Sequence, residues 1–178
     1  MATTAEPATI QVDPMVPRPM RILRRWAETD DTFTMELDPG PDGYPFVPGQ
    51  FNMLYAFGVG EVAISISGDP TTPSTLIHTV RAVGAVTSAL RDLEPGDSVG
   101  VRGPFGVGWP VDEAIGQDVV IIAGGIGLAP LRPAIYHVLG NRARYGQISV
   151  GIGFRSPAEM IFEEELREWR SRFDLEIE

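Results

Sequence analysis

Three glycines that follow an apolar run are the residues of this chain best suited to bind a phosphate. Residues 119–123 are small or β-branched and predict a buried parallel strand. Gly124, Gly125 and Gly127 come next, and Pro130 lies just inside the start of a helical pattern. A glycine turn between a strand and a helix offers a ligand bare N–H groups and the positive end of the helix dipole. The stretch alone fits a nucleotide site and an ordinary tight turn equally well.

The composition excludes several other classes of site. The 178 residues are 43% hydrophobic and 21% charged, as in an ordinary soluble globular protein. A net charge of −10, with arginine as the only basic residue besides histidine, argues against nucleic acid and anionic membranes as partners. Without cysteine the chain cannot form a disulfide, bind an iron–sulfur cluster through thiolates or use a cysteine nucleophile. Its two histidines, His78 and His137, are far apart, so we predict no metal site.

The N-terminal region predicts neither export nor membrane insertion. Residues 1–14 read as a flexible tail or as an arm that docks elsewhere, and residues 1–19 lack an apolar segment of signal-peptide length. The longest apolar run is interrupted by glycine and is too short to span a bilayer. We therefore expect a soluble, cytoplasmic protein without membrane insertion.

The first part of the chain has the pattern of an antiparallel β-barrel. Six short strands are predicted, at residues 20–27, 32–37, 50–57, 61–67, 76–82 and 99–102. Six strands at this spacing favour a closed barrel, which leaves no exposed edge. One helix, residues 84–93, interrupts them with its apolar residues on one face.

The second part alternates strands and helices. A strand at 119–123, a helix at 130–139 and a strand at 148–153 are followed by Ser156-Pro-Ala-Glu159, which has the sequence of a capping box. Apolar residues of the helix expected there could face a sheet, namely Ile161, Leu166, Trp169 and Phe173. A third strand begins at 175–177. This is the first half of a doubly wound α/β sheet, so we expect a barrel domain at 15–112 and an incomplete, truncated nucleotide-binding domain at 118–178.

A set of motifs in a fixed order resembles the ferredoxin–NADP reductase superfamily. The motifs lie at residues 46–51, 63–67, 78–87, 93–97, 102–106 and 123–130. In that superfamily a flavin-binding barrel precedes a pyridine-nucleotide domain. The closer resemblance is to the electron-transfer subunit of dihydroorotate dehydrogenase and to the flavin subunit of cytoplasmic nickel–iron hydrogenases. It covers residues 18–178.

The resemblance implies where a flavin would bind. Ile64, Ser65 and Ile66 match the strand that lies against the isoalloxazine ring. The Ser65 hydroxyl could donate to the flavin N5 or bond a neighbouring carbonyl. The strand whose backbone meets the flavin is matched by His78, Thr79 and Val80. We interpret His78 as a positioning or surface residue rather than an acid–base catalyst.

The resemblance also implies a phosphate turn after that strand, formed by Gly84, Ala85, Val86 and Thr87. Free N–H groups open the helix there, and the Thr87 hydroxyl could add a contact. The chain departs from the family at Val62, where many members have an arginine that binds the flavin phosphate. Arg81 or the helix N-terminus could supply the missing charge.

In the second domain the resemblance assigns the glycine turn to a pyridine nucleotide. Gly124, Gly125, Gly127 and Pro130 match the family's pyrophosphate and nicotinamide turn. Arg155 matches a segment near the nucleotide ribose, where it could pair with a phosphate. It could equally be a surface arginine beside the acidic run 163–165.

The implied activity is that of an NAD(P)H-dependent flavin oxidoreductase. FAD, or alternatively FMN, would accept a hydride from NAD(P)H and pass single electrons to a redox partner subunit of the hydrogenase or dehydrogenase type. A 2Fe–2S cluster could lie only in a missing C-terminal region or on a partner chain, because this chain has no cysteine. The alternatives are the reductase component of an oxygenase and a non-catalytic assembly module.

Overall fold

The computed structural model describes residues 15–178 of the chain. The predicted flexible tail, 1–14, lies outside the described residues. The described chain forms two sheets with separate apolar cores. The division into domains at 15–112 and 118–178 stays a prediction.

Six antiparallel strands form the barrel, with bounds close to the predicted ones. They are β1 (Arg18–Ala27), β2 (Thr32–Leu37), β3 (Phe51–Ala56), β4 (Gly60–Ser65), β5 (Leu76–Arg81) and β6 (Ser98–Phe105). Helix α1 (Ala85–Arg91) lies between β5 and β6. The strand order is β4-β3-β6-β1-β2-β5, and a bridge between Ile66 and His78 joins the two ends. The sheet therefore closes into the predicted barrel.

The alternation of side chains explains how the barrel is filled. In β3, Asn52, Leu54 and Ala56 are buried, while the alternate residues Phe51, Met53 and Tyr55 are partly exposed. β2 differs because all six of its residues are buried. Its apolar residues Phe33, Met35 and Leu37 belong to the barrel core, and its polar residues are buried on the opposite face. β2 is thus covered on both sides, which is unusual for an antiparallel strand.

The second sheet is parallel and follows the predicted β-α-β-α-β order. Its elements are β7 (Val119–Gly124), α2 (Leu128–Gly140), β8 (Ile148–Gly153), α3 (Glu163–Arg170) and β9 (Glu176–Ile177). The strand order is β7-β8-β9. None of the helices in residues 15–178 combines the length and apolar character that a membrane span needs.

Strand β7 is buried on one face only, which corrects the predicted fully buried strand. Ile121 and Ala123 pack into the core with α2, whereas Val120 is 68% exposed and Ile122 is 76% exposed. A continuous apolar run cannot distinguish a strand covered on both faces from one covered on a single face, because period-two alternation is hidden when every residue is apolar.

The segment before α3 also differs from its prediction. Ser156 makes no side-chain cap, and Pro157–Glu159 forms a single 3-10 turn. The α-helix begins only at Glu163, after Phe162, whose φ of 57° lies in the left-handed region. Ile161, Leu166 and Trp169 are buried as predicted. Phe173 was expected to face the sheet, but it is fully exposed because it follows the helix end.

Candidate functional site

The glycine turn has the predicted strand–turn–helix geometry. β7 ends at Gly124, one 3-10 turn spans Gly125–Gly127, and α2 follows directly with Pro130 in its first turn. Gly125 adopts a φ of 52°, a conformation that glycine accepts without strain. A Cβ atom built on Gly124, Gly125 or Gly127 would meet no atom within 4 Å. The backbone of the turn therefore borders open space that a ligand could fill.

This open space is a cleft at the carboxyl ends of two neighbouring parallel strands. Gly124 and Gly125 of the turn, Gly153 at the end of β8, and the side chains of Arg81 and Arg155 line a volume of about 490 Å³. Ligands of open α/β sheets bind at the carboxyl edge of the strands. Two guanidinium groups beside a glycine turn give this cleft the chemistry of an anion site.

Arg155 lies at the outer rim of the cleft. Its Nε atom donates to a Glu159 carboxylate oxygen at 2.9 Å, and its side chain is 73% exposed. An exposed ion pair of this kind contributes little to stability. The guanidinium can therefore exchange Glu159 for a phosphate at small cost.

Arg81 reaches the same cleft from the barrel. Its Nε atom donates to Asp31 Oδ2 at 2.7 Å, and this hydrogen bond is the main reason why the pKa of Asp31 is lowered. Val62, which replaces the family's phosphate-binding arginine, packs partly buried against the barrel core. Arg81 thus places a guanidinium that is paired with Asp31 beside Gly125, between the barrel and the parallel sheet.

The predicted flavin strand lies where the barrel closes. Ile66 is buried, and Ile64 packs against the same core, so both side chains point into the barrel. Ser65 is partly exposed, and its carbonyl accepts a hydrogen bond from His78 Nδ1 at 2.9 Å. Of the three residues, Ser65 is the one whose side chain can turn outward to a ligand.

His78 is buried and is not a surface residue, while its role as a positioning residue stays a prediction. Its side chain is 0% exposed, and Nε2 accepts a hydrogen bond from Asn52 Nδ2 at 3.1 Å. Asn52 Oδ1 in turn accepts the Tyr44 hydroxyl at 2.6 Å. Burial lowers the pKa of His78 to about 4, so the imidazole is neutral at pH 7. The network joins β3, β4 and β5 inside the barrel.

The neighbouring side chains on β5 are equally inaccessible to a ligand. Val80 is fully buried in the core. The Thr79 hydroxyl lies 2.9 Å from that of Thr34 and 3.0 Å from that of Ser67, and Thr79 is also buried. A cofactor could meet His78, Thr79 and Val80 only through their backbone. That backbone role stays a prediction.

The turn before α1 is held by Thr87 itself. The Thr87 hydroxyl accepts the backbone N–H groups of Val83 and Gly84, both at 3.0 Å, and donates to the Gly84 carbonyl at 3.1 Å. Its hydrogen-bonding capacity is therefore used within the helix cap. The N–H groups of Ala85 and Val86, in the first helical turn, have no intrahelical acceptor. A Cβ atom on Gly84 would meet nothing within 4 Å, so this turn is open as well.

Sequence reasoning missed the residues that connect the barrel to the parallel sheet. Arg132 on α2 donates from Nη1 to the Ser67 carbonyl at 2.9 Å. The Phe162 N–H donates to Glu28 Oε2 at 2.9 Å. One signal was present, because Arg132 shares the apolar face of Leu128 and cannot be solvated there. No local pattern indicated the left-handed Phe162.

The chain shares sequence with oxidoreductase subunits. A family model of the oxidoreductase NAD-binding domain matches residues 121–177. Sulfhydrogenase 1 subunit gamma from Pyrococcus furiosus is 41% identical over 141 residues, which cover 78% of this chain and 48% of the relative. A probable dihydroorotate dehydrogenase B (NAD(+)), electron transfer subunit, from Methanocella arvoryzae is 40% identical over 141 residues, with coverages of 78% and 48%. The chain spans about half the length of these curated relatives.

Solved structures share the fold. Phthalate dioxygenase reductase matches with a TM-score of 0.76 at 23% identity, over 94% of this chain and 53% of that chain. A ferredoxin NADP+ reductase from Neisseria gonorrhoeae with bound FAD and NADP matches with a TM-score of 0.74 at 22% identity, over 90% and 66%. The fold of the chain is thus that of these reductases. The fold class expected from the sequence and the resemblance to hydrogenase and dihydroorotate dehydrogenase subunits are confirmed.

The two open turns of this chain differ in their surroundings. The turn at Gly84 lies at the end of the barrel strand β5, and the turn at Gly124 lies at the end of β7. The cleft at the second turn is lined by Arg81, Arg155 and Glu159, and each arginine is paired with a carboxylate. Guanidinium groups that can exchange these partners make the second turn a candidate anion site.

Proposed function

We propose that this chain is the flavin- and nucleotide-binding part of an electron-transfer subunit. It would move electrons between NAD(P)H and an iron–sulfur or other redox partner, as an NAD(P)H-dependent flavin oxidoreductase. The observation that carries the proposal is the open glycine turn at Gly124. It faces the barrel across a cleft that Arg81 and Arg155 line from opposite sides.

The cleft fits a pyridine nucleotide. A pyrophosphate needs closely approaching backbone N–H groups and positive charge, and the turn at Gly124, Gly125 and Gly127 has no side chain in the way. Arg155 reaches the cleft from the parallel sheet and Arg81 from the barrel. A nucleotide bound here would touch both parts of the chain. Comparing the affinities of the chain for NADH and NADPH decides between NAD and NADP.

The barrel fits a flavin on its outer face. Ser65 is the partly exposed residue of the strand at 64–66, and the backbone of residues 78–80 runs beside it. The open turn at Gly84 could hold the flavin phosphate. FAD is the proposed flavin, with FMN as the alternative. When bound, the flavin supplies hydride acceptance from NAD(P)H and release of single electrons, while the chain positions both molecules.

The proposed partner is a hydrogenase- or dehydrogenase-type subunit. Among relatives of about 40% identity, one is named as a subunit of a sulfhydrogenase and one as the electron-transfer subunit of a dihydroorotate dehydrogenase. The 178 residues contain no cysteine, so a thiolate-bound 2Fe–2S cluster would have to lie outside them. The cytoplasmic location inferred from the sequence stays a prediction, which cell fractionation would test.

Flavin reconstitution tests the proposed function. The purified chain is incubated with FAD or FMN and desalted, and we expect it to retain the visible absorbance of a bound flavin. NADH or NADPH added without oxygen should then bleach that absorbance. A chain that stays colourless with both flavins contradicts the flavin proposal. A yellow chain that neither nucleotide bleaches contradicts the nucleotide site.

The variant Gly124→Ala separates the nucleotide site from the fold. Gly124 has a φ of −125°, and an added Cβ atom would meet nothing within 4 Å, so alanine fits the fold. The methyl group would occupy the space that we assign to the nucleotide phosphate. We expect about tenfold weaker binding of NAD(P)H with an unchanged melting temperature. Gly140→Ala, at the end of α2 and equally open, is the matched control. Equal nucleotide affinity of the two variants would contradict the site.

A further inference from the structure

A buried guanidinium links the helix of the glycine turn to the predicted flavin strand. Arg132 lies in the second turn of α2, five residues after Gly127, and is 9% exposed. Its Nη1 donates to the carbonyl of Ser67, two residues beyond Ser65. Its Nη2 lies 2.6 Å from Glu165 Oε2 on α3. One side chain thus joins the barrel, α2 and α3.

The Arg132 guanidinium is held by aromatic rings against its faces as well as by hydrogen bonds from its nitrogens. Its carbon lies 4.3 Å from the ring centre of Phe162 and 5.2 Å from that of Tyr136. The Tyr136 hydroxyl donates to Glu165 Oε1, so both oxygens of this carboxylate are engaged. A planar group with two hydrogen-bonded edges and aromatic rings against it has few orientations. A lysine cannot reproduce this arrangement, because its ammonium is a point charge.

A second connection runs through the residue that packs against Arg132. The Phe162 N–H donates to Glu28 Oε2, and Glu28 Oε1 accepts the Thr34 hydroxyl at 2.7 Å and the Trp26 indole N–H at 2.8 Å. Phe162 holds a left-handed φ of 57°, a strained conformation that persists only where surrounding contacts require it. The two connections therefore support each other.

Two contacts between the barrel and the parallel sheet are hydrogen bonds, from Arg132 to Ser67 and from Phe162 to Glu28. The barrel core and the core of the parallel sheet have no residue in common. Loss of the hydrogen bond from Arg132 to Ser67 would remove a contact between the two parts and would change how one part sits on the other. The turn at Gly124–Gly127 leads directly into α2, so a rotation of α2 displaces the turn relative to Ser65.

We infer that Arg132 is a positioning residue that sets the placement of the nucleotide turn relative to the flavin strand. This inference rests on the proposed function and adds a residue to it. Hydride transfer requires reacting atoms about 3–3.5 Å apart, and a displacement of about 1 Å can slow a reaction about a hundredfold. A rigid, buried link between the two binding elements controls that distance.

The first test measures reduction of the flavin-loaded chain by NAD(P)H in a stopped-flow instrument without oxygen. For Arg132→Lys and Arg132→Gln we expect unchanged flavin retention and a limiting reduction rate at saturating nucleotide at least about tenfold lower. The exposed Arg167, paired with Glu163 on α3, provides the control Arg167→Gln, which should behave as wild type. A wild-type limiting rate in both Arg132 variants would overturn the inference. The inference would also be overturned if the lower rate of the Arg132 variants were fully explained by a smaller amount of bound flavin.

The second test measures the placement of the barrel relative to the parallel sheet directly and needs no cofactor. The chain has no native cysteine, so spin labels can be attached at Ser98→Cys on β6 and Arg170→Cys on α3, both exposed positions. Electron–electron double resonance should give one narrow distance distribution, and Arg132→Gln should broaden or shift it. An unchanged distribution would overturn the inference. A broadened distribution in a chain that binds no flavin would support Arg132 as the link and contradict only the proposed function.

Discussion

The barrel and the parallel sheet differ in how their site residues relate to their cores. In the barrel, the side chains of His78, Thr79 and Val80 are buried, and those of His78 and Thr79 are hydrogen-bonded within the fold. In the parallel sheet, Gly124 and Gly125 border open space, and the strand that carries them has an exposed face. Substitutions at the predicted barrel site should therefore act first on stability. Substitutions at the glycine turn should act first on ligand binding.

The largest expected effect contrasts one buried and one exposed strand residue. Leu54 on β3 is fully buried in the barrel core, whereas Ile122 on β7 is 76% exposed. Leu54→Ala should lower the free energy of unfolding by about 3 kcal/mol, because it removes packed methyl groups and leaves a cavity. Ile122→Ala should change it by less than about 0.5 kcal/mol. Urea unfolding followed by circular dichroism measures both, and equal losses would show that β7 is covered on both faces in solution.

The second effect is the dependence of barrel stability on pH. The pKa of His78 falls from its ordinary value of 6.5 to about 4 on folding, because burial disfavours the charged ring. Between these values the unfolded chain binds more protons, so the free energy of unfolding decreases as the pH falls. When the pH is lowered from 7 to 5, the contribution of His78 should lower the free energy of unfolding by about 2 kcal/mol.

Two variants isolate this contribution from the other titrating groups. His78→Gln should flatten the dependence over that range, whatever its own stability. His137→Gln, at the partly exposed histidine of α2, should retain it. Urea titrations at pH 7 and pH 5 give the comparison. If the free energy of unfolding of His78→Gln changed with pH as it does in the wild type, groups other than His78 would cause the acid sensitivity.

A third and smaller effect distinguishes two neighbouring glycines of the open turn. Gly125 has a φ of 52°, and Gly124 has a φ of −125°. Gly125→Ala should lower the free energy of unfolding by about 1–2 kcal/mol, since alanine is strained in the left-handed region. Gly124→Ala should leave it within about 0.5 kcal/mol of wild type. Thermal unfolding of the two variants is the measurement, and a reversed order would contradict the turn geometry.

The smallest expected effect concerns the cap of α1. Thr87→Ala removes the acceptor of the Val83 and Gly84 N–H groups and should lower the free energy of unfolding by about 1 kcal/mol. Thr87→Ser keeps the hydroxyl and should retain most of the wild-type free energy of unfolding. Flavin affinity measured by titration gives the second comparison. A lower affinity in Thr87→Ala at unchanged stability would assign the hydroxyl to the ligand, contrary to its role as a cap.

Much of the fold followed from local patterns in the sequence. Alternation of apolar residues predicted the six barrel strands, and the glycines after residue 123 predicted a turn between a strand and a helix. These signals are local because side chains two or four residues apart share a face whatever the rest of the chain does. The order of the motifs predicted the resemblance to hydrogenase and dihydroorotate dehydrogenase subunits, which the comparisons confirm.

The tertiary structure decided which faces are covered and which polar groups meet. Arg132 and Ser67 are 65 residues apart in sequence, and Glu28 and Phe162 are 134 apart. Periodicity reports that a face is apolar or polar, but it cannot report which distant segment packs on it. The exposure of Ile122, the burial of His78 and the left-handed Phe162 all depend on such distant neighbours. The sequence by itself determined the elements and the turn, and only the packing of one part on the other determined how the two predicted binding elements face each other.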